Sequence, residues 1–254
     1  MIREPAVAGM FYPADSGELR RMIEGFLAAA KPGPHPKAII APHAGYVYSG
    51  PIAASVYKRI NPEKISRVVL IGPSHRVALR GLAASSAPSW RTPLGEVSVA
   101  RPNFVPISDA AHAQEHSLEV QVPFLQTVLG DFTLLPLVAG EASAVEVAEV
   151  LEKCWGGPET LIVISSDLSH YENYKTARAM DTAASKAILA FDERGLECDN
   201  ACGLVPICGL LHLAKQKKMR AELVDLRSSG DTAGSRDQVV GYGAFAFYEP
   251  IGSL

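Results

Sequence analysis

Three apolar runs in this chain end on side chains that bind metals or move protons. KAIIA leads into Pro42-His43-Ala44-Gly45-Tyr46, RVVLIG into Pro73-Ser74-His75, and TLIVISS into Asp167-Leu168-Ser169-His170-Tyr171. Imidazole is the commonest protein metal ligand and the usual carrier of protons near neutral pH. In an open α/β sheet, ligands bind in the crevice beyond the carboxyl ends of the strands. If these three runs are parallel strands, His43, His75, Asp167 and His170 converge on one rim from distant parts of the chain. Taken singly, a histidine after a strand is a turn residue with a satisfied hydrogen bond. Its recurrence on three strands favours a site. Gly45, Gly50 and Gly72 beside them permit close backbone turns.

Glu115-His116-Ser117-Leu118-Glu119 opens a helix on which Glu119 lies one turn beyond His116, on the same face. His116 or Glu119 can hold a metal-binding histidine in orientation. The competing reading is a solvated helix start with an acidic first turn. Cys198 and Cys202 precede a helix beginning near Leu204. A thiol at a helix N-terminus has a lowered pKa, which favours thiolate and metal ligation. The spacing of Cys198 and Cys202 is not the C-x-x-C of zinc knuckles or thioredoxin-like sites. Cys208 and His212, four apart, suit either a shared ligand or core packing with Leu204 and Leu211, and Cys154 reads as a small buried hydrophobe. His35 and His112 suggest no function.

The elements that position these residues alternate short apolar runs with amphipathic segments. Strands are predicted at 38–41, 67–71, 82–85, 133–138, 160–165, 221–226 and 243–248. Helices are predicted at 50–59, 116–129, 144–155, 176–191 and 204–217, with Pro123 disturbing the first half of the second. An earlier helix carries Leu19, Met22, Ile23, Phe26, Leu27 and Ala30 on one face, with Asp15 as its N-cap and Glu18 as the returning carboxylate. The Pro- and Gly-rich stretches 31–36, 87–95 and 101–106 read as loops. Continuously apolar strands are covered on both faces, so the expectation is a three-layer α/β/α fold around a largely parallel or mixed sheet.

Composition narrows the function classes. A chain of 254 residues, 48% hydrophobic and 20% charged, buries enough apolar surface to exclude disorder, as one α/β domain or two merged lobes. With 24 Lys+Arg against 27 Asp+Glu it has no basic field for nucleic acid or anionic lipid. No apolar run approaches the ~20 residues of a membrane span. The N-terminus lacks the apolar stretch of a signal peptide, which implies a cytoplasmic, reducing setting and cysteines held as thiols.

PAVAGMFYP, APHAGYVYSG, IGPSH, RTPLG, EHSLE, SSDLSHY and GYGAFAFYE, in that order and nearly end to end, resemble the Memo family, whose prokaryotic members are often called AmmeMemoRadiSam system protein B. The resemblance implies a single domain over residues 1–254, with a fold similar to the LigB-type class III extradiol dioxygenases. Those enzymes hold non-haem iron on two histidines and a carboxylate. Memo proteins keep the histidines and place a cysteine where the carboxylate stands. On this chain the implied ligands are His43, His75 and, from ACGLVPICGLL, Cys202; Cys208 departs from the family pattern. Asp167 and His170 match the remaining polar pair, and His170 resembles the acid/base histidine of the dioxygenases, with Asp167 expected to set its tautomer.

A thiolate suits iron, copper(I) or zinc better than magnesium or calcium. The resemblance therefore implies a metal-binding, redox-active protein with iron or copper, zinc being a further fit, and without ring cleavage. Two other readings stay open. One is a non-catalytic module recognising a peptide or small anionic ligand in the same pocket. The other is a hydrolase or transferase with Cys202 as nucleophile and His170 as base. The prokaryotic name implies a radical S-adenosylmethionine protein as partner, along with a protein carrying the third domain of that trio. Any iron–sulfur cluster would belong to the partner, since this chain has no cluster motif.

Overall fold

The computed structural model describes residues 1–196 and 201–250. In chain order the elements are α1 (Ser16–Ala29), β1 (Ala38–Ala41), α2 (Tyr46–Tyr57), β2 (Arg67–Pro73), β3 (Leu82–Ala84), β4 (Ser89–Thr92) and β5 (Gly95–Val99), followed by α3 (Asp109–Ala113), α4 (His116–Glu119), α5 (Val122–Leu129), β6 (Thr133–Ala139), α6 (Ala144–Cys154) and β7 (Thr160–Ser165). The chain continues through β8 (His170–Glu172), α7 (Tyr174–Leu189), α8 (Leu204–Gln216), β9 (Arg220–Ser228) and β10 (Val239–Tyr248).

The sheet runs β4-β5-β6-β2-β7-β1-β10-β8, with β3 beside β6 and β9 beside β10. Strands β5, β6, β2, β7 and β1 are mutually parallel. Strand β10 is antiparallel to β1, β8 and β9, so the sheet is mixed. Because successive side chains on a strand point to opposite faces, the central strands feed two cores. Ile39, Ala41, Val68, Leu70, Leu161 and Val163 pack with Ile23 of α1, Ile52 of α2 and Phe124 of α5. Their neighbours Ala38, Ile40, Val69, Ile71, Ile162 and Ile164 pack with Leu151 of α6, Ile188 of α7 and Leu210 of α8. This is the expected three-layer arrangement.

Several boundaries differ from the sequence expectation for identifiable reasons. The segment 116–129 divides into α4 and α5, and Pro123 sits in the first turn of α5, where its missing N–H costs nothing. Helix α2 begins at Tyr46, a turn before residue 50, and carries Pro51 inside it. The stretch 87–95 holds an edge strand: β4 pairs antiparallel with β5, and its few residues between Pro88 and Pro93 are too short to show a period. Strand β8 pairs only Glu172 and His170 with Val239 and Val240. Asp15 caps α1 by accepting from the Glu18 N–H at 2.8 Å, with no bond back from the Glu18 carboxylate among the described residues.

Candidate metal centre

Strand order decides what meets. β7 lies between β2 and β1, all three parallel, so the loops after their carboxyl ends are neighbours. His43, His75, Asp167 and His170 consequently line one cavity of about 1070 Å³, together with His116 and Cys202. Phe11, Tyr48, Tyr171 and Tyr242 add aromatic surface, and no lysine or arginine is among the described residues that line it.

Each loop is fastened by its neighbours. The Asp167 carboxylate accepts the His43 N–H at 2.7 Å and also the Ala44 N–H. The Asp167 N–H donates to Cys202 Sγ at 3.3 Å, and Ser166 Oγ accepts the Gly203 N–H at 2.9 Å. A Cβ on Gly203 would stand 2.6 Å from the Ser166 Cβ, so only glycine lets the start of α8 come this close. Ser117 Oγ donates to the Pro73 carbonyl at 2.8 Å, pinning α4 to the end of β2.

The hydrogen bonds also fix the histidine tautomers. Ser165 Oγ donates its proton to the Ser117 carbonyl at 2.5 Å and accepts from Gln121 Nε2 at 2.8 Å. Toward His43 Nδ1, 2.9 Å away, it can therefore only accept, so His43 carries its proton on Nδ1. The Nε2 lone pair is left facing Cys202 Sγ at 3.2 Å. His75 Nδ1 lies 2.9 Å from Oε1 of Glu115, a carboxylate that can only accept, which leaves its Nε2 without a protein partner among the described residues. Donor atoms of His43, His75 and Cys202 all lie within 4.8 Å of one another. The His43 ring is set edge-on to His75 and His116, with centroids 5.3 and 5.4 Å away, while His75 and His116 stack at 4.7 Å.

Burial, with the nearby histidine charges, holds the His43 pKa well below its usual value, so the ring is neutral, the form that binds metals. Burial pushes Asp167 up to about 7 against the hydrogen bonds from His43 and Ala44. The Cys202 thiol, expected to be acidified by the helix terminus, is instead raised to about 12: burial dominates, and the Asp167 charge adds to it. Burial also depresses His170 and brings His116 to about 4.

Two expected relationships are replaced by others. Asp167 does not orient His170; the His170 ring bonds to the Leu168 carbonyl instead. Glu119 serves the N-terminal segment, accepting from Ala6 and Val7 N–H at 2.8 and 3.0 Å, from Tyr12 Oη at 2.6 Å, and from Arg3 Nη1. The residue that grips His75 is Glu115, which sequence reasoning passed over. Burial raises its pKa, but the His75 ring and the Ser117 N–H outweigh that and hold it at about 2. Its signal was its place immediately before a helix, where a side chain caps: Oε1 accepts the Ser117 N–H at 2.9 Å.

The remaining cysteines and histidines lie apart. Cys154 is buried on α6. His212 pairs with Glu193 at 3.1 Å, and Cys208 Sγ approaches the Glu193 carbonyl at 4.0 Å, without forming a three-residue donor group among the described residues. Cys198 falls outside the described residues. His35 Nδ1 accepts the Asn61 N–H at 3.1 Å, and His112 bonds to the Ala83 carbonyl inside the fold.

A family model described as Memo-like protein matches residues 3–246. The chain belongs to the Memo family. A MEMO1 family protein of Archaeoglobus fulgidus is 39% identical over 97% of this chain and 99% of its own length. One from Methanopyrus kandleri is 38% identical over 97% and 99%, and one from Aquifex aeolicus 37% over 95% and 97%. The Memo-family match covers all the lining loops, and no helix among the described residues is long and apolar enough to cross a membrane.

Proposed function

We propose that this Memo-family protein is a metal-binding, redox-active protein that holds iron or copper on His43, His75 and Cys202. The observation that carries the reading is the tautomer set by Ser165: His43 turns a bare Nε2 toward Cys202 Sγ at 3.2 Å, with a His75 donor in reach. Two imidazoles and one thiol that ionises on binding make a donor set for iron, copper or zinc rather than magnesium or calcium. The bound metal would supply one-electron chemistry. Around it, His170, whose ring is held by the Leu168 carbonyl, moves protons at the cavity wall, and Asp167 keeps the His43 turn in place. Phe11, Tyr48 and Tyr242 offer apolar surface to an organic substrate.

Less supports the alternatives. A small anionic ligand would meet no lysine or arginine among the described residues of the wall. A Cys202 nucleophile with His170 as base is disfavoured because Sγ faces His43 and burial holds the thiol at about 12. A radical S-adenosylmethionine protein remains the proposed partner, and co-purification from the native host tests it.

The deciding experiment is elemental analysis of untagged protein purified without oxygen, beside a His43→Ala/His75→Ala variant. About one equivalent of iron or copper in the parent, lost in the variant, supports the reading. A parent that holds no metal and takes up neither Fe(II) nor Cu(I) refutes it.

A further inference from the structure

Glu115 is the residue before α4, its side chain is 1% exposed, and two of the three N–H groups that its carboxylate accepts belong to His75. Oε2 accepts the His75 backbone N–H at 2.5 Å, and Oε1 accepts the His75 ring Nδ1–H at 2.9 Å and the Ser117 N–H at 2.9 Å. The His116 Nδ1, buried and without a hydrogen-bond partner, stands a further 3.4 Å from Oε1. One carboxylate thus holds His75 by both main chain and ring.

The mount of Glu115 is braced from the other end of the sequence. Arg3 Nη2 donates to the Glu115 carbonyl at 2.8 Å and Nε to the His112 carbonyl at 3.1 Å, while Nη1 pairs with Glu119. Arg3, at 8% exposure, is itself clamped over Trp90 at 4.5 Å. His75 itself is about a third exposed and sits in a loop, and no other described hydrogen bond reaches its ring.

His75, Glu115 and His116 also form a second group of metal-capable side chains within 4.8 Å. A cation there would need the Glu115 oxygens, and these already accept three N–H groups directed at them. A carboxylate so engaged orients a ligand better than it acts as one.

We infer that Glu115 is a positioning residue for His75: it keeps the ring proton on Nδ1 and so presents Nε2 as the donor to the His43/Cys202 pair. The inference builds on the proposed metal site, yet the tautomer can be read in metal-free protein. An amide cannot accept all three N–H groups: with its NH2 toward the ring it drives the proton onto Nε2, the atom the metal needs, and with its NH2 toward the His75 main chain it meets that N–H and loosens the grip.

Long-range ¹H–¹⁵N spectra of the metal-free parent, with His75 assigned by substitution, should show the Nδ1–H form, and Glu115→Gln should shift the ring toward Nε2–H. Cobalt(II) titration, followed by its visible absorption, should show a 10–100-fold affinity loss in Glu115→Gln. Glu115→Asp keeps the charge but withdraws it from the ring, so it should lie between the two. It also serves as the test if the glutamine variant does not fold. Cobalt should saturate at one equivalent in the parent. An unchanged tautomer and affinity in the folded variants, or saturation at two equivalents, overturns the assignment. A parent that binds no cobalt while the tautomer still inverts fails the metal reading and leaves the positioning of His75 intact.

Discussion

Removing the Glu119 carboxylate should be among the most damaging single changes in this fold, and its cost follows from the contacts. Glu119 and Arg3 have side-chain exposures of 1% and 6%. In Glu119→Ala the guanidinium keeps two carbonyl bonds but loses the carboxylate it pairs with, and an uncompensated buried charge costs about 3–5 kcal/mol. The Tyr12 hydroxyl and the Ala6 and Val7 amides lose their acceptor as well, which argues for the upper part of that range. For a domain of this size each kcal/mol shifts the thermal midpoint by about 2–4 °C, so a fall of roughly 6–20 °C is expected. Trp90, against which Arg3 packs, is a built-in fluorescence probe for urea unfolding. A double variant, Arg3→Met/Glu119→Met, should be more stable than Glu119→Ala, since it leaves no orphaned charge. If Glu119→Ala unfolds within about 1 kcal/mol of the parent, or the double variant is the worse of the two, the account of this network is wrong.

Three further outcomes are expected. Burial holds His112 at about 4, below its usual 6.5, so between those values the unfolded chain takes up a proton that the folded chain refuses. The His112 contribution to stability should be complete above pH 6.5 and be lost toward pH 4 by up to about 1.4 kcal/mol per pH unit, against the opposite trend of Asp167. Relative to the parent, urea midpoints of His112→Gln should therefore fall less as pH is lowered, and equal pH dependence would exclude this histidine. Lys37 Nζ donates to the Trp155, Gly157 and Thr160 carbonyls at 2.8, 2.7 and 2.8 Å. Lys37→Met strands all three and should cost about 2–4 kcal/mol by chemical denaturation, with a near-neutral result speaking against it. A Cβ on Gly140 would fall 2.0 Å from the Leu79 carbonyl oxygen, in the loop that follows His75. Gly140→Ala should therefore lose about 1–3 kcal/mol, measured as a lower melting temperature, and an unchanged midpoint would mean the loop moves freely.

The layered fold was readable in the sequence because the central strands are continuously apolar, and such runs are buried on both faces wherever they occur. The gathering of His43, His75, Asp167 and His170 was readable for the same reason: the residue after a parallel strand has only one rim to occupy. What escaped was set by side chains acting across the chain. Glu115 and Glu119 look alike in EHSLE, and nothing local says that one reaches His75 while the other reaches Arg3. The acidity expected of Cys202 failed similarly. Its place before a helix is a local fact, whereas its burial is set by the whole fold and the Asp167 charge comes from the loop after β7. The edge pairing of β4 with β5 rests on so few residues that only the assembled sheet reveals it.

The reach of these contacts bears on how the protein is made. His43 and Cys202 touch across 159 positions, and Arg3 finds its acceptors 109 to 116 positions downstream. During synthesis from the amino end, the histidines leave the ribosome long before the cysteine, and Arg3 waits for α3 and α4 to emerge. Pairings of such separation close late in folding, because loop entropy must be overcome before they contribute. A nascent chain halted before residue 202 would therefore carry both histidines but not the Cys202 thiol that faces His43. Under the proposed metal-binding reading, the choice among cellular metals would then fall to the released, fully folded molecule.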